Sequence, residues 1–443
     1  MNKQITPRPM HNTSRLLDYL YHEMIVCATE GIGYVVLDDE ELKANEIVIG
    51  GKKVKSFGSC SYLGLELDPR MKAASIKAIE KYGTAFSSSR AYLSSPLYGE
   101  LQELLEAIFQ KPVIATPTTS LGHIAAIPSL VDPSDAIVLD HQVHASVQNA
   151  AKIAKANGTH VEMVRHSNLE NLEWRIQKLT SEFRNVWYFA DGVYSMFGDL
   201  APFKEIESLL NKYDNLYLYV DDAHGMSWSG PRGSGTVLAA IEFHPKMVLA
   251  TSMVKGFGGG GGILVFPDSQ LRDFINYTGS TLFFSGPIQN GSLGACVCSA
   301  KIHLSPEINE LQEKLKGLLR FTLDSCDAME IPLAVKELTP IFFVPVSDTR
   351  TAYQITRKMI EKGFFLNIAA YPSVPVKNAG LRFTITNHMS EGSILEMLET
   401  LREVYYQTLA ANGVTLDEVY AAFKLEKPGK SKITETQSVS NNM

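Results

Sequence analysis

Lys255 stands just past an apolar run, MVLAT, in the segment SMVKGFGGGGG, and a lysine amine is the side chain that condenses with carbonyl groups to form imines. Four other apolar runs end in polar clusters. VIAT leads into PTTSLGH, AIVL into DHQVHAS, VWYFA into DGVYS, and LYLYV into DDAHG. Hydroxyls, imidazoles, carboxylates and one amine therefore follow strand-like runs, and parallel sheets bind ligands at the carboxyl ends of their strands. Other chemistries fail on context. Gly256 to Gly261 fit the pattern GxGxxG, but a dinucleotide fingerprint must open a helix, and these glycines run straight into another apolar run, GILVF. A phosphate loop of the GxxxxGK type has its lysine after the glycines, whereas Lys255 comes before them. There is no GxSxG elbow and no HExxH pair. Cys296 and Cys298 lie two apart in an apolar segment with no zinc-spaced partners, which favours packing, and no metal is expected.

An imine-forming lysine that uses pyridoxal phosphate requires helpers, and the strand ends offer them. An acid must keep the pyridine nitrogen protonated; Asp221 or Asp222 can serve, and strand alternation allows only one of the two to face the site. A phosphate needs hydroxyls and free N–H groups at a helix N-terminus. The turn Thr118-Thr119-Ser120-Leu121-Gly122 leading into HIAAIPSLV supplies both, and Ser252 adds a hydroxyl beside the lysine. His144 is a candidate for the flat group against the ring, and His224 and Ser195 for donors to its phenolic oxygen. Arg382 sits inside the apolar stretch GLRFTIT, where an unpaired charge is costly. Its planar fork suits a substrate carboxylate, with a structural ion pair as the alternative.

The elements that must position these groups follow from the pattern of the chain. Its 443 residues, 45% hydrophobic and 20% charged, are those of a globular protein with room for two or three domains. Seven short apolar runs between residues 113 and 266, most separated by helical segments, predict an α/β fold with a mostly parallel seven-stranded sheet flanked by helices. MVLAT and GILVF are too close for a helical crossover and are expected to run antiparallel. After a helical stretch near 288 to 328, the strand IFFVPV, a helix, the strands FFLNIAAY and GLRFTIT, and a helix ending near Leu409 predict a smaller C-terminal α/β domain. The expected organisation is an N-terminal arm over 1–66, opened by a helix over 14 to 30 and two short strands around 44 to 58. A large cofactor-binding domain over 67–300, a small domain over 301–423 and a disordered tail over 424–443 follow.

Partners are bounded by charge and composition. Lys plus Arg is 41 and Asp plus Glu is 48, a net charge of −7 with no basic stripe, so nucleic acid is not an expected partner. Five cysteines, odd in number and mostly in apolar surroundings, fit reduced thiols in the cytoplasm. The first residues, MNKQITPRPMHNTS, carry no apolar signal run, and no apolar stretch reaches the roughly 18 residues of a membrane span.

From SYLGL at 61 to Leu409 the chain resembles the α-oxoamine synthase family of fold-type-I pyridoxal phosphate enzymes. The resemblance is carried by SYLGL, SSSRAYLSS, HAS at 144 to 146, DGVYSMFGDLAP, VDDAHGMSWSGPRGSG, SMVKGFG, FFSGPI and YPSVPVKNAGLRFTIT. It implies that His144 stacks on the ring, Asp221 pairs with the pyridinium nitrogen, and His224 and Ser195 flank the phenolic oxygen. It implies that Lys255 is the covalent anchor and that Arg382 binds the amino acid carboxylate. Ser285 matches a position whose hydroxyl reaches the phosphate held by a neighbouring subunit, which implies a homodimer with its active site at the subunit interface. The chain departs from the family pattern at Thr119, Ser120 and His123, where a glycine, an aromatic and an asparagine are usual, and at Asp222, where glutamate is common.

The implied reaction is the decarboxylating condensation of an amino acid with an acyl-CoA to give an aminoketone. An aminotransferase, built on the same cofactor and residues, is the alternative, because proton abstraction from an amino acid can instead end in transfer of nitrogen to a keto acid. A non-catalytic scaffold on this fold would need none of Lys255, Asp221, His144, His224 or Arg382.

Overall fold

The computed structural model describes residues 15–85 and 87–426; the expected tail beyond Glu426 and the N-terminal stretch before Arg15 lie outside the described residues. An amphipathic helix α1 (Arg15–Thr29) precedes a hairpin of β1 (Glu46–Ile49) and β2 (Lys52–Ser56), and then come α2 (Pro69–Tyr82) and α3 (Pro96–Phe109). Proline at the first helical position and a side-chain cap, Asp68 or Ser95, start each of the last two.

Every one of the seven apolar runs is a strand. They are β3 (Val113–Thr116), β4 (Ala136–Asp140), β5 (His160–Val164), β6 (Val186–Asp191), β7 (Leu216–Asp221), β8 (Met247–Ser252) and β9 (Gly262–Val265). Between them lie α4 (Thr119–Leu130), α5 (Ala145–Ala156), α6 (Leu169–Leu179), α7 (Phe203–Lys212) and the short α8 (Thr236–Ala240). They form one sheet in the order β3-β9-β8-β7-β6-β4-β5. All strands run parallel except β9, which is antiparallel to both β8 and β3, as the short link between MVLAT and GILVF requires. The central strands are buried on both faces, which is why they read as unbroken apolar runs rather than alternating ones. One apolar core fills each side of the sheet. The first is centred on Leu101, Leu105, Val220 and Leu249; the second, beneath α4 and α5, on Ile127, Val147, Phe189 and Ala250.

Helices α9 (Ser269–Thr278), α10 (Ser280–Phe283), α11 (Asn290–His303) and α12 (Glu307–Ala328) lead to a three-stranded sheet of β10 (Ile341–Ser347), β12 (Asn367–Ala369) and β13 (Ala379–Thr384), with β13 in the middle. FFLNIAAY is not one strand. Phe364–Phe365 form β11, which pairs parallel with β2 of the N-terminal hairpin, and the chain changes sheet at the fully buried Leu366 before β12 pairs with β13. The Asn367 amide donates to the Gly58 carbonyl and stitches the two sheets at that corner. Helices α13 (Thr349–Glu361) and α14 (Glu391–Asn412) cover this unit, and a further helix, α15 (Leu416–Phe423), follows a Gly413 in the left-handed region and a Thr415–Glu418 capping box. Sequence reading ended the helices near Leu409, because the eight-residue α15 is too short to show a period of its own.

Candidate active site

The carboxyl ends of β3, β6, β7 and β8 open on one cavity of about 240 Å³. It is lined by Thr118, Thr119, Ser120, His144, Ser146, Asp191, Val193, Asp221, Ala223, His224, Ser252, Val254 and Lys255. Lys255 lies in the turn between β8 and β9, held by Gly258 N donating to its carbonyl and by Gly259 N donating to the Met253 carbonyl. Gly258 there has φ of 74°, a left-handed conformation that favours glycine. The run of glycines serves a second purpose: a Cβ on Gly262 would collide with the Thr119 backbone, so β9 must be bare for the first turn of α4 to sit against it. Burial lowers the Lys255 pKa, opposed by the nearby Asp221 charge, which favours the neutral, nucleophilic amine.

The two adjacent carboxylates have separate fates. Asp221 faces the cavity: Oδ1 accepts from Ala223 N at 3.0 Å and Oδ2 from His123 Nε2 at 2.9 Å. Burial pushes its pKa up, but the neighbouring His123, with its hydrogen bond, and Lys255 and His144 beyond it outweigh that and hold it down at about 2, so it is anionic. Asp222 points away, accepting from the Thr236 hydroxyl at 2.5 Å and Val237 N at 3.1 Å. Side chains at Gly192, Gly225 or Gly235 would each strike its carboxylate, so three glycines of the DGVYS, DDAHG and GSG segments exist to make room for it. Burial lifts its pKa to about 7.

His144 caps α5, its Nδ1 2.6 Å from the Ser146 hydroxyl, and leaves its ring exposed to the cavity; burial nevertheless lowers its pKa, which keeps the imidazole neutral. Its backbone N–H donates to both oxygens of Asp191, whose own pKa is raised by burial and by Asp221. His224 is buried with Nδ1 2.7 Å from the Tyr62 hydroxyl, and burial together with Lys255 keeps it neutral. At the mouth of α4 the Thr118 hydroxyl caps Leu121 N, and the Thr119 hydroxyl donates to the Thr251 carbonyl; Ser120 and Ser252 line the cavity beside them.

Three sequence candidates stand apart from this group. Ser195 lines an adjoining cleft of about 450 Å³ that shares His144 and is walled by Met196, Phe197, Tyr371 and Val374. Ser285 lies outside the cavity lining, its hydroxyl donating to the Thr281 carbonyl next to the exposed Phe284. Arg382 is buried in β13, donating from Nε to the Ser195 carbonyl at 2.7 Å, with its Nη2 3.8 Å from the Cys60 sulfur. Among the described residues no carboxylate pairs with it, so the ion-pair alternative falls and the fork is left for an anion from outside. Sequence reading missed Asp191, although its place at the end of VWYFA matched the signal used for the others, and Tyr62, for which no local signal exists.

The donor set fits pyridoxal phosphate: an amine, an anionic acid, a neutral flat ring, and hydroxyls at the N-terminus of a twelve-residue helix, all on one cavity. Comparison with known proteins agrees. The family model for aminotransferase class I and II matches residues 52–401, and the chain belongs to that family, with the fold-type-I architecture and its pyridoxal phosphate cofactor. Its relatives narrow the class. An 8-amino-7-oxononanoate synthase of Alkaliphilus oremlandii is 28% identical, covering 81% of this chain and 89% of the relative. A serine palmitoyltransferase of Bacteriovorax stolpii is 30% identical, covering 83% and 85%. The solved serine palmitoyltransferase of Sphingomonas wittichii shares the fold, with a TM-score of 0.82 at 22% identity over 90% of this chain and 98% of that one. Within the wider family the chain belongs to the α-oxoamine synthases.

Proposed function

We propose that the protein condenses an amino acid with an acyl-CoA, releasing carbon dioxide and free CoA and leaving an aminoketone. The observation that carries this reading is the buried Arg382, without an acidic partner, beside the segment that joins the lysine cavity to an apolar-walled cleft. One fork for a carboxylate and one cleft for an acyl group is what a two-substrate condensation needs.

Pyridoxal phosphate, when bound, supplies a carbonyl that amines attack and a ring that withdraws electrons from the amino acid's α-carbon. The chain's residues do the rest. Lys255 Nζ would anchor the cofactor and, freed when the substrate amine takes its place, would take the α-proton. The anionic Asp221 would hold a proton at the ring nitrogen, the neutral His144 would pack against the ring, and His224 and Ser195 would donate to the phenolic oxygen. Thr119, Ser120 and Ser252 would hold the phosphate at the α4 N-terminus. Arg382 grips the amino acid carboxylate and orients the α C–H bond. In the net reaction the α-carbon bonds to the thioester carbonyl carbon and the C–S bond breaks. CoA leaves as the thiol with the abstracted proton, the carboxylate of the resulting β-keto acid departs as carbon dioxide, and a proton from solvent returns to the α-carbon.

The reading includes a homodimer in which Ser285 of each subunit reaches the phosphate site of the other; exposed Phe274, Tyr277 and Phe284 around it support this. It includes a cytoplasmic location, supported by five free cysteines. Among the described residues no helix is long and apolar enough to cross a membrane. The test is stoichiometry with panels of amino acids and acyl-CoAs: thiol and carbon dioxide released in equal amounts, with nitrogen retained in the product. A pyridoxamine phosphate half-reaction with an amino donor alone, and no thiol from any acyl-CoA, would establish the aminotransferase instead.

A further inference from the structure

His123 is wholly buried on the first turns of α4, and it has two partners on β7. Nε2 lies 2.9 Å from Asp221 Oδ2, and Nδ1 lies 2.8 Å from the Tyr219 hydroxyl. Since a carboxylate only accepts, Nε2 carries a proton and donates to it; the hydroxyl of the fully buried Tyr219 lies at Nδ1 and donates to that nitrogen in the tautomer protonated at Nε2. We propose that Tyr219 and His123 form a positioning relay that fixes one imidazole tautomer, keeps the Asp221 carboxylate anionic and aims its free lone pair at the cofactor's ring nitrogen. This rests on the function proposed above.

The geometry has no slack. Asp221 Oδ1 is taken by Ala223 N and Oδ2 by His123, so the carboxylate cannot rotate, and the side that remains faces Lys255 and His144. Other titratable groups face it: Lys255 and His144 from the cavity and Asp191 from the adjacent β6. Without the donor at Nε2, the burial of Asp221 favours a neutral acid, which no longer holds a proton on the ring nitrogen. Tyr219 acts at one remove, because with a phenylalanine there the imidazole is free to carry its proton on Nδ1 and turn a lone pair toward the carboxylate.

Three variants of the full-length protein, reconstituted with pyridoxal phosphate, test the relay: His123→Leu, His123→Asn and Tyr219→Phe. The readouts are the pH titration of the bound cofactor's absorbance, its dissociation constant, and the melting temperature of the apoprotein. His123→Leu should weaken cofactor binding by about ten- to a hundredfold and move the spectral midpoint by about one pH unit. His123→Asn, which keeps a donor, should recover most of both, and Tyr219→Phe should shift the midpoint in the same direction by less. Leu and Asn variants with the same spectra and binding as wild type, whatever their melting temperatures, would reduce His123 to a packing residue and overturn the relay. Should His123→Leu not fold, an unmoved midpoint in Tyr219→Phe would overturn it. Wild-type protein that takes up no cofactor refutes the function itself, whereas normal uptake with indifferent variants refutes the relay alone.

Discussion

Two histidine–aspartate clusters sit on the same edge of the large sheet, two strands apart, and they are built to opposite ends. At β7 a single carboxylate, Asp221, meets a single imidazole, His123, backed by a phenol. At β4 the His166 ring is clasped between two carboxylates, Nδ1 3.1 Å from Asp140 and Nε2 2.5 Å from Asp199, with His141 and Tyr194 packed edge-on. Burial works against its charge, but the two carboxylates overcome that and raise the His166 pKa to about 9, so it is an imidazolium with both donors spent. Asp140 is saturated as well, accepting from Gln142 N and Ser167 N. The second cluster spends both donors of its imidazole on two carboxylates and serves to tie three loops together, with Asp199 Oδ1 buried without a hydrogen-bond partner; the first presents its carboxylate to the cavity that holds Lys255. The presence of a buried histidine–carboxylate pair does not mark a catalytic site; a carboxylate that shares a cavity with the lysine does.

The largest effect expected on this comparison comes from Asp221→Asn. Removing one partner of a buried charge pair should raise the barrier by about 3 to 5 kcal/mol while the cofactor still binds, read as kcat with full cofactor occupancy. The neighbouring Asp222→Asn should leave kcat within a few-fold, because that carboxylate is already half protonated near neutrality and never faces the ring. A reversal of the two would exchange their roles.

His166→Gln should instead cost stability. A histidine whose folded pKa of about 9 exceeds its unfolded value stabilises the fold in full below about pH 6.5, and loses that contribution as pH rises through about 9. The contribution is about 3 kcal/mol, so wild-type denaturation midpoints should fall between pH 6 and 10 by more than those of the variant. Parallel pH profiles for both proteins would remove His166 from the account.

A smaller and more specific effect is expected at Arg382. Replacement by Lys keeps the charge but loses the fork, and should raise the KM for the amino acid about ten- to a hundredfold with little change in the KM for the acyl-CoA. Equal changes in both would place the guanidinium outside the carboxylate subsite.

The sheet was legible in the sequence because strands buried on both faces must be apolar throughout, and the polar residues that end them had nowhere to be but its carboxyl edge. Alternation reduced Asp221 and Asp222 to a choice of one, and only side-chain geometry made it. Contacts across long separations were not legible: His123 and Asp221 are 98 residues apart, and Tyr62 meets His224 across 162. Nor was the split of FFLNIAAY, since each half has a strand's composition and only the N-terminal hairpin, far away in sequence, explains why they pair with different sheets.

The central claim is that Lys255 is the amine on which the whole site converges, and one measurement addresses it directly. Holoprotein reduced with borohydride, digested and analysed by mass spectrometry should carry the reduced cofactor on the peptide containing Lys255, and Lys255→Ala should lose both that mass and the turnover. Reduced cofactor on a different lysine, or an unchanged covalent adduct in Lys255→Ala, would contradict the account.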